Sequence, residues 1–253
     1  MDFIQTIILG LIQGFTEWLP ISSSGHLVVT QKLMNLTIPV AFDVMLHVGT
    51  LMAVIVFFWK DLMKILKSIF TFNAKDENFK LAIYVIIGTI PTALIGVVFL
   101  KFFESLFFNI KAIGICFLIT GFLVLISKFK NNNKKLNWLS SFIIGVAQGV
   151  SIAPGISRSG STISVGLLSG VKKSEVFLYS FLLSIPAIIG ASILENNKFI
   201  LNDLGIYSVV GMIVSAISGY VAIKILHKVL LSEKFYIFSI YCFLLGILVL
   251  LVL

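Results

Sequence analysis

Leu9–His26 reads LGLIQGFTEWLPISSSGH, and Ile144–Ser161, at an offset of 135 with no gap, reads IGVAQGVSIAPGISRSGS. Gly10, Gln13, Gly14, Ile21, Ser22, Ser24 and Gly25 fall on Gly145, Gln148, Gly149, Ile156, Ser157, Ser159 and Gly160. Each stretch offers only about ten apolar residues before proline, glycine and serine interrupt it, whereas a bilayer-crossing helix needs about 20. Both are therefore expected to be re-entrant helix-loop hairpins ending near the midplane, where non-helical backbone is tolerated only against protein or a water-filled cavity.

Outward from these stretches the chain is strongly apolar. Of its 253 residues 58% are hydrophobic and 12% charged, more apolar surface than a soluble domain of this size can hide. Six apolar runs, about 41–59, 82–100, 112–127, 175–194, 206–223 and 236–253, have spanning length. They lack the period-two alternation of a barrel, so they must be helices. The expected class is all-α, polytopic and membrane-embedded, with six transmembrane helices. Beyond the first motif the offset falls to about 123, pairing Gly88 with Gly211, Gly96 with Gly219 and Lys101 with Lys224, and the last span pairs Gly121 with Gly246. The chain thus reads as one membrane domain, 1–253, made of two copies, about 1–130 and 136–253. Each copy is a hairpin followed by three spans, and the odd number of crossings turns the second copy over: an inverted-topology repeat.

The opening Met-Asp-Phe has no basic leader, so the apolar stretch from Phe3 is expected to belong to the fold. Cys116 and Cys242 lie inside apolar runs and are expected to pack rather than bridge. The net charge of +8 is unevenly placed: of nineteen Lys and Arg, only Lys32, Lys101, Lys111 and Lys198 fall on the side of the N-terminus. Positive residues mark the cytoplasmic face, so both termini are expected outside. No loop interleaves basic and aromatic residues in the manner of a nucleic-acid module, so no nucleic-acid partner is expected.

Chemistry is expected at the two tips because they diverge there. Glu17 stands opposite Ile152, Ser23 opposite Arg158 and His26 opposite Ser161, and ionisable groups at membrane depth are expensive and functional by default. PGISRSGST places a guanidinium among hydroxyls at a helix start, which suits phosphate oxygens. Glu17 beside such an anion implies a bridging divalent cation, Mg²⁺ or Ca²⁺, or a base, and Gln13 one turn earlier can add an oxygen ligand. Ser23 is a candidate nucleophile and His26 a candidate general acid or base. The plainer readings are that SSSG packs helices closely, that Glu17 snorkels to an interface and that Arg158 anchors one. Asp43 and His47, at i and i+4, either line the cavity or satisfy each other. Gly88, Gly96, Gly211 and Gly219 suit a homodimer and internal packing equally.

QGFTEWLPISSSGH and PGISRSGSTIS closely resemble the two signature motifs of the bacterial undecaprenyl pyrophosphate phosphatase family of the bacitracin-resistance type. The likeness extends to length, span number and the stretch FDVMLHVGTLMAV. The resemblance implies an integral membrane enzyme that hydrolyses the C55 isoprenoid pyrophosphate carrier to the monophosphate, recycling it for peptidoglycan synthesis, with a divalent cation. It implies Glu17, Ser23, His26 and Arg158 as catalytic residues and Gln13 with Glu17 as the acidic motif that holds the metal. Gln13, Ser22, Ser24, Gly25, Gln148, Ser157, Ser159 and Thr162 are expected around the lipid pyrophosphate. Because Gln13 occupies the first acidic position, Glu17 is the motif's sole carboxylate. The competing reading is an inverted-repeat transporter or flippase for an anion or a phosphorylated lipid.

Overall fold

A computed structural model describes residues 2–38, 40–73, 75–129, 133–195 and 205–253. Lys130 and Lys198, both used in the charge reading, lie outside the described residues. Among those described the protein is wholly helical apart from a single bridge between Lys134 and Val171. The first half contains α1 (Phe3–Trp18), α2 (Ser23–Leu33), α3 (Val40–Phe57), α4 (Trp59–Thr71), α5 (Glu77–Val98), α6 (Leu100–Phe107) and α7 (Ile110–Ile126). The second contains α8 (Trp138–Val150), α9 (Arg158–Leu168), α10 (Lys173–Glu195), α11 (Ile206–Leu231) and α12 (Ile237–Val252).

The six apolar runs fall on α3, α5, α7, α10, α11 and α12. Of these α5, α10 and α11 are by themselves long and apolar enough to cross a membrane. Two bent pairs reach that length together: α3 with α4, at 77°, and α6 with α7, at 106°. The 16 residues of α12 extend about 24 Å at 1.5 Å per residue. On α5 the large residues Ile86, Ile90, Leu94 and Val97 are each more than 60% exposed and follow the helical repeat. Such a stripe suits contact with lipid, and with three helices of spanning length the protein is a multi-pass membrane protein.

The hairpins are α1–α2 and α8–α9. Asp2 caps α1 by accepting from the Gln5 amide while Gln5 returns the bond, and Asn137 and Ser140 do the same for α8. Both entry helices end where the sequence forces them to: Pro20 follows α1, and Ala153-Pro154-Gly155 follows α8, with Gly155 at φ +93°. Each hairpin packs on the spans of the other half, α1 on α11 and α8 on α5, while α3 lies on α11, α10 on α5 and α7 on α12. Glycines allow these approaches. A Cβ on Gly10 would sit 3.0 Å from the Gly211 carbonyl, and one on Gly145 would fall onto the Gly88 backbone. A Cβ on Gly96 would meet Ile152 and one on Gly219 would meet Trp18, so these small residues too take part in internal packing. Cys116 and Cys242 are both buried and unbridged.

Candidate active site

The two tips meet through their own backbone. Ser22 Oγ accepts from the Gly155 amide at 3.1 Å, Ser159 Oγ donates to the Leu19 carbonyl at 3.0 Å, and Thr120 of α7 donates to the Gly155 carbonyl and accepts from the Ser157 amide. Hairpin helices α2 and α9 begin at Ser23 and Arg158. Two helix N-termini therefore converge, each carrying partial positive charge and each capped by a serine, Ser22 on the Gly25 amide and Ser157 on the Gly160 amide.

Glu17, on the last turn of α1, is the centre of the arrangement. Ser23 Oγ donates to its Oε2 at 2.5 Å and Arg158 Nη2 to its Oε1 at 2.6 Å. Gln13 Nε2 donates to Oε2 at 3.3 Å. The carboxylate is 8% exposed and the guanidinium 14%; either charge alone would cost several kcal/mol of desolvation, roughly, and each is here compensated by the other. Trp18, fully buried, lies face-on beneath Arg158, its ring centroid 4.7 Å from the guanidinium carbon, and stacks on Phe181 of α10 at 4.9 Å. With Nη2 on Glu17 and one face on Trp18, Arg158 retains Nη1 as a buried donor without a partner; Gln13 Oε1 is likewise a buried acceptor without one. Buried polar atoms are normally satisfied, so orphans of both signs beside a carboxylate leave bonding capacity there for a water or a ligand.

The expected residues divide into those the fold brings to this point and those it uses elsewhere. Glu17, Ser23, Arg158 and Gln13 are together. His26 is not with them: Nδ1 donates to the Ser22 carbonyl at 2.6 Å, Nε2 bonds Tyr241 at 2.7 Å, and the ring stacks on Tyr241 and meets Phe117 edge-on. The hydroxyl of Ser23 goes to Glu17 instead. Ser22 stands at φ +68°, a conformation few non-glycine residues adopt, held by His26 on its carbonyl and Gly155 on its hydroxyl. Ser24 bonds Ser22, and Gly25 packs on Phe117 and Gly155. Ser157 caps α9 through the Gly160 amide, and Thr162 bonds Ser180 and the Arg158 carbonyl. These hydroxyls build the tips. Gln148, the counterpart of Gln13, bonds Thr92 and the Leu183 carbonyl and has no bond to the Glu17 cluster.

His47 resolves the open choice about α3. Nδ1 donates to the Asp43 backbone carbonyl rather than to its carboxylate, and Nε2 stands 3.9 Å from Glu17 Oε2 with the side chain 34% exposed. It lines the site. Trp18 and Thr120 were not visible as site residues in the sequence; the only signal for Trp18 was its place directly after Glu17.

Comparison with known proteins places the chain in one family. The family model for bacitracin resistance protein BacA matches residues 6–248. The chain is 43% identical to undecaprenyl-diphosphatase of Halothermothrix orenii, covering 98% of this chain and 97% of that protein. It is 41% identical to undecaprenyl-diphosphatase of Korarchaeum cryptofilum, covering 99% of each, and 42% identical to that of Thermosipho africanus, covering 95% and 96%.

Proposed function

The chain belongs to the bacitracin resistance protein BacA family and hydrolyses undecaprenyl diphosphate to undecaprenyl phosphate and inorganic phosphate; we propose that it does so where the two hairpins meet, with Ser23 as nucleophile and Glu17 as its base. The observation that carries this reading is the 2.5 Å bond from the Ser23 hydroxyl to a carboxylate whose other oxygen is held by Arg158 at 2.6 Å. The carboxylate stands within reach of the Ser23 proton, and the bond aligns a serine lone pair away from it.

In the proposed sequence, Arg158 turns its free Nη1 to the terminal phosphate and shares Nη2 between that phosphate and Glu17. Glu17 takes the Ser23 proton as Ser23 Oγ bonds to phosphorus and the bridging P–O bond breaks, releasing undecaprenyl phosphate. Water then attacks the phosphoserine, passing a proton to a phosphate oxygen as its own oxygen bonds to phosphorus, the P–Oγ bond breaks, Glu17 returns its proton to Ser23 Oγ, and phosphate leaves. Positioning and neutralisation of phosphate oxygens are what such a transfer needs, and the guanidinium and two helix N-termini supply both. Gln13 Oε1 and Glu17 would hold a divalent cation, Mg²⁺ or Ca²⁺, that neutralises the diphosphate. Among the described residues no three His, Cys, Asp or Glu converge, a donor set suited to a cation that keeps its waters and arrives on substrate phosphates. His26 is a positioning residue in this reading, setting Ser22 and so the direction of Ser23.

The lysine bias supports a plasma-membrane protein with both termini and the site mouth outside, where a spent lipid diphosphate is released. Phosphate release from undecaprenyl diphosphate by purified protein, with a ³²P label captured on Ser23 after acid quench, tests the reading. A label found on His26, or undiminished turnover in Ser23→Ala, overturns it.

A further inference from the structure

We propose that α4 is an interfacial helix whose lysine face binds the anionic headgroups of the surrounding bilayer. The proposal is independent of the catalytic reading.

The chain bends by 77° between α3 and α4, so that with α3 crossing the bilayer α4 lies near its plane. Three faces then follow from residue spacing. Ile65 and Ser68 are buried, and Leu62 packs on the main core, so one face is held by the protein. Trp59, Met63, Leu66 and Phe70, separated by four, three and four residues, form a line that is 57%, 46%, 47% and 83% exposed. Lys60, Lys64 and Lys67 repeat the same spacing one residue later, about 100° further round, and all three are exposed. Lys64 lies 3.5 Å from Asp61; among the described residues Lys60 and Lys67 have no carboxylate partner.

A helix with an apolar stripe beside a cationic one, lying along the surface, matches an interface in both polarity and charge. The tryptophan and leucine side enters the acyl boundary, and the lysine stems lie along it with ammoniums among the phosphates. The occupant is lipid rather than another protein because α4 continues directly from a membrane helix, so its exposed stripe already stands at bilayer depth. Charge complementarity selects anionic headgroups, by about fivefold for each lysine that reaches the surface.

The test reconstitutes the full chain in vesicles containing equal phosphatidylglycerol and phosphatidylcholine, with brominated acyl chains on one or the other. Trp59 emission is taken as the difference between the full chain and Trp59→Phe. Quenching at least fivefold more effective from the brominated phosphatidylglycerol is expected, falling to parity in Lys60→Gln/Lys64→Gln/Lys67→Gln and, for the unaltered chain, in 1 M salt, where charge is screened within about 3 Å. Equal quenching by both lipids in the unaltered chain at low salt overturns the headgroup assignment. No quenching by either lipid overturns the interfacial placement and indicates a surface covered by protein.

Discussion

At the scale of single residues the candidate site is a carboxylate with a divided task. Glu17 holds Arg158 on one oxygen and the Ser23 proton on the other, so the two functions can be separated by substitution. Ser23→Ala and Glu17→Gln are expected to lower kcat by about 10²–10⁴-fold with little change in KM, as phosphate release at saturating substrate will report, because Arg158 remains to bind. Trp18 acts through Arg158. Trp18→Leu removes the π face and is expected to raise KM about two- to thirtyfold, the equivalent of 0.5–2 kcal/mol, while Trp18→Phe restores most of it; equal kinetics in the two variants would leave the ring with a filling role only. His26 offers a third separation. In His26→Asn the amide nitrogen stands near the position of Nδ1 and can still donate to the Ser22 carbonyl, so it should regain most of the turnover that His26→Ala loses. If both are equally inactive, His26 does chemistry rather than positioning. Glu17, Ser23 and Arg158 were legible because divergence between two copies singled them out. Nearness in sequence to Ser23 did not reveal the partners of His26, because side-chain direction is set by a backbone that passes through positive φ at Ser22.

At the scale of elements, what distinguishes the hairpins is how closely they approach the opposite half. Gly145→Ala places a methyl against the Gly88 backbone and is expected to destabilise by about 1–3 kcal/mol, whereas Gly190→Ala on α10 meets nothing within 4 Å and should stabilise by about 0.5–1 kcal/mol through the unfolded chain. Melting midpoints of both variants in one detergent will order them; a Gly145→Ala midpoint at or above the unaltered one would contradict the crossing described. The two breaks were readable because proline and glycine cannot continue a helix. By contrast α4 escaped, since a lysine at nearly every turn defeats a search for apolar runs although the helix is amphipathic throughout. The bend between α6 and α7 escaped for a related reason: Lys101 and Glu104 interrupt the apolar residues of α6, so the run at 82–100 stops where that helix begins.

At the scale of the whole molecule, orientation is the property most open to test. Lys111 and Lys172 are both exposed and are expected on opposite sides. Cys116 and Cys242 are both buried, and against the labelling of the unaltered chain a membrane-impermeant thiol reagent should label Lys111→Cys in intact cells and Lys172→Cys only after the membrane is opened; the reverse pattern would turn the site mouth inward. The sequence by itself determined that the chain is an all-helical membrane protein built from two related halves, because composition, run length and internal likeness are properties of the linear chain. It also determined which residues carry unusual charge at depth. Only the tertiary structure decided which of them touch: that Arg158 reaches Glu17 across 141 positions, that Trp18 supports it, that His47 faces the carboxylate and that His26 turns to Tyr241. The physical reason is that side-chain encounter between two oppositely inserted hairpins depends on helix crossing and backbone torsion at the tips, and both are set by packing between segments that local sequence does not encode.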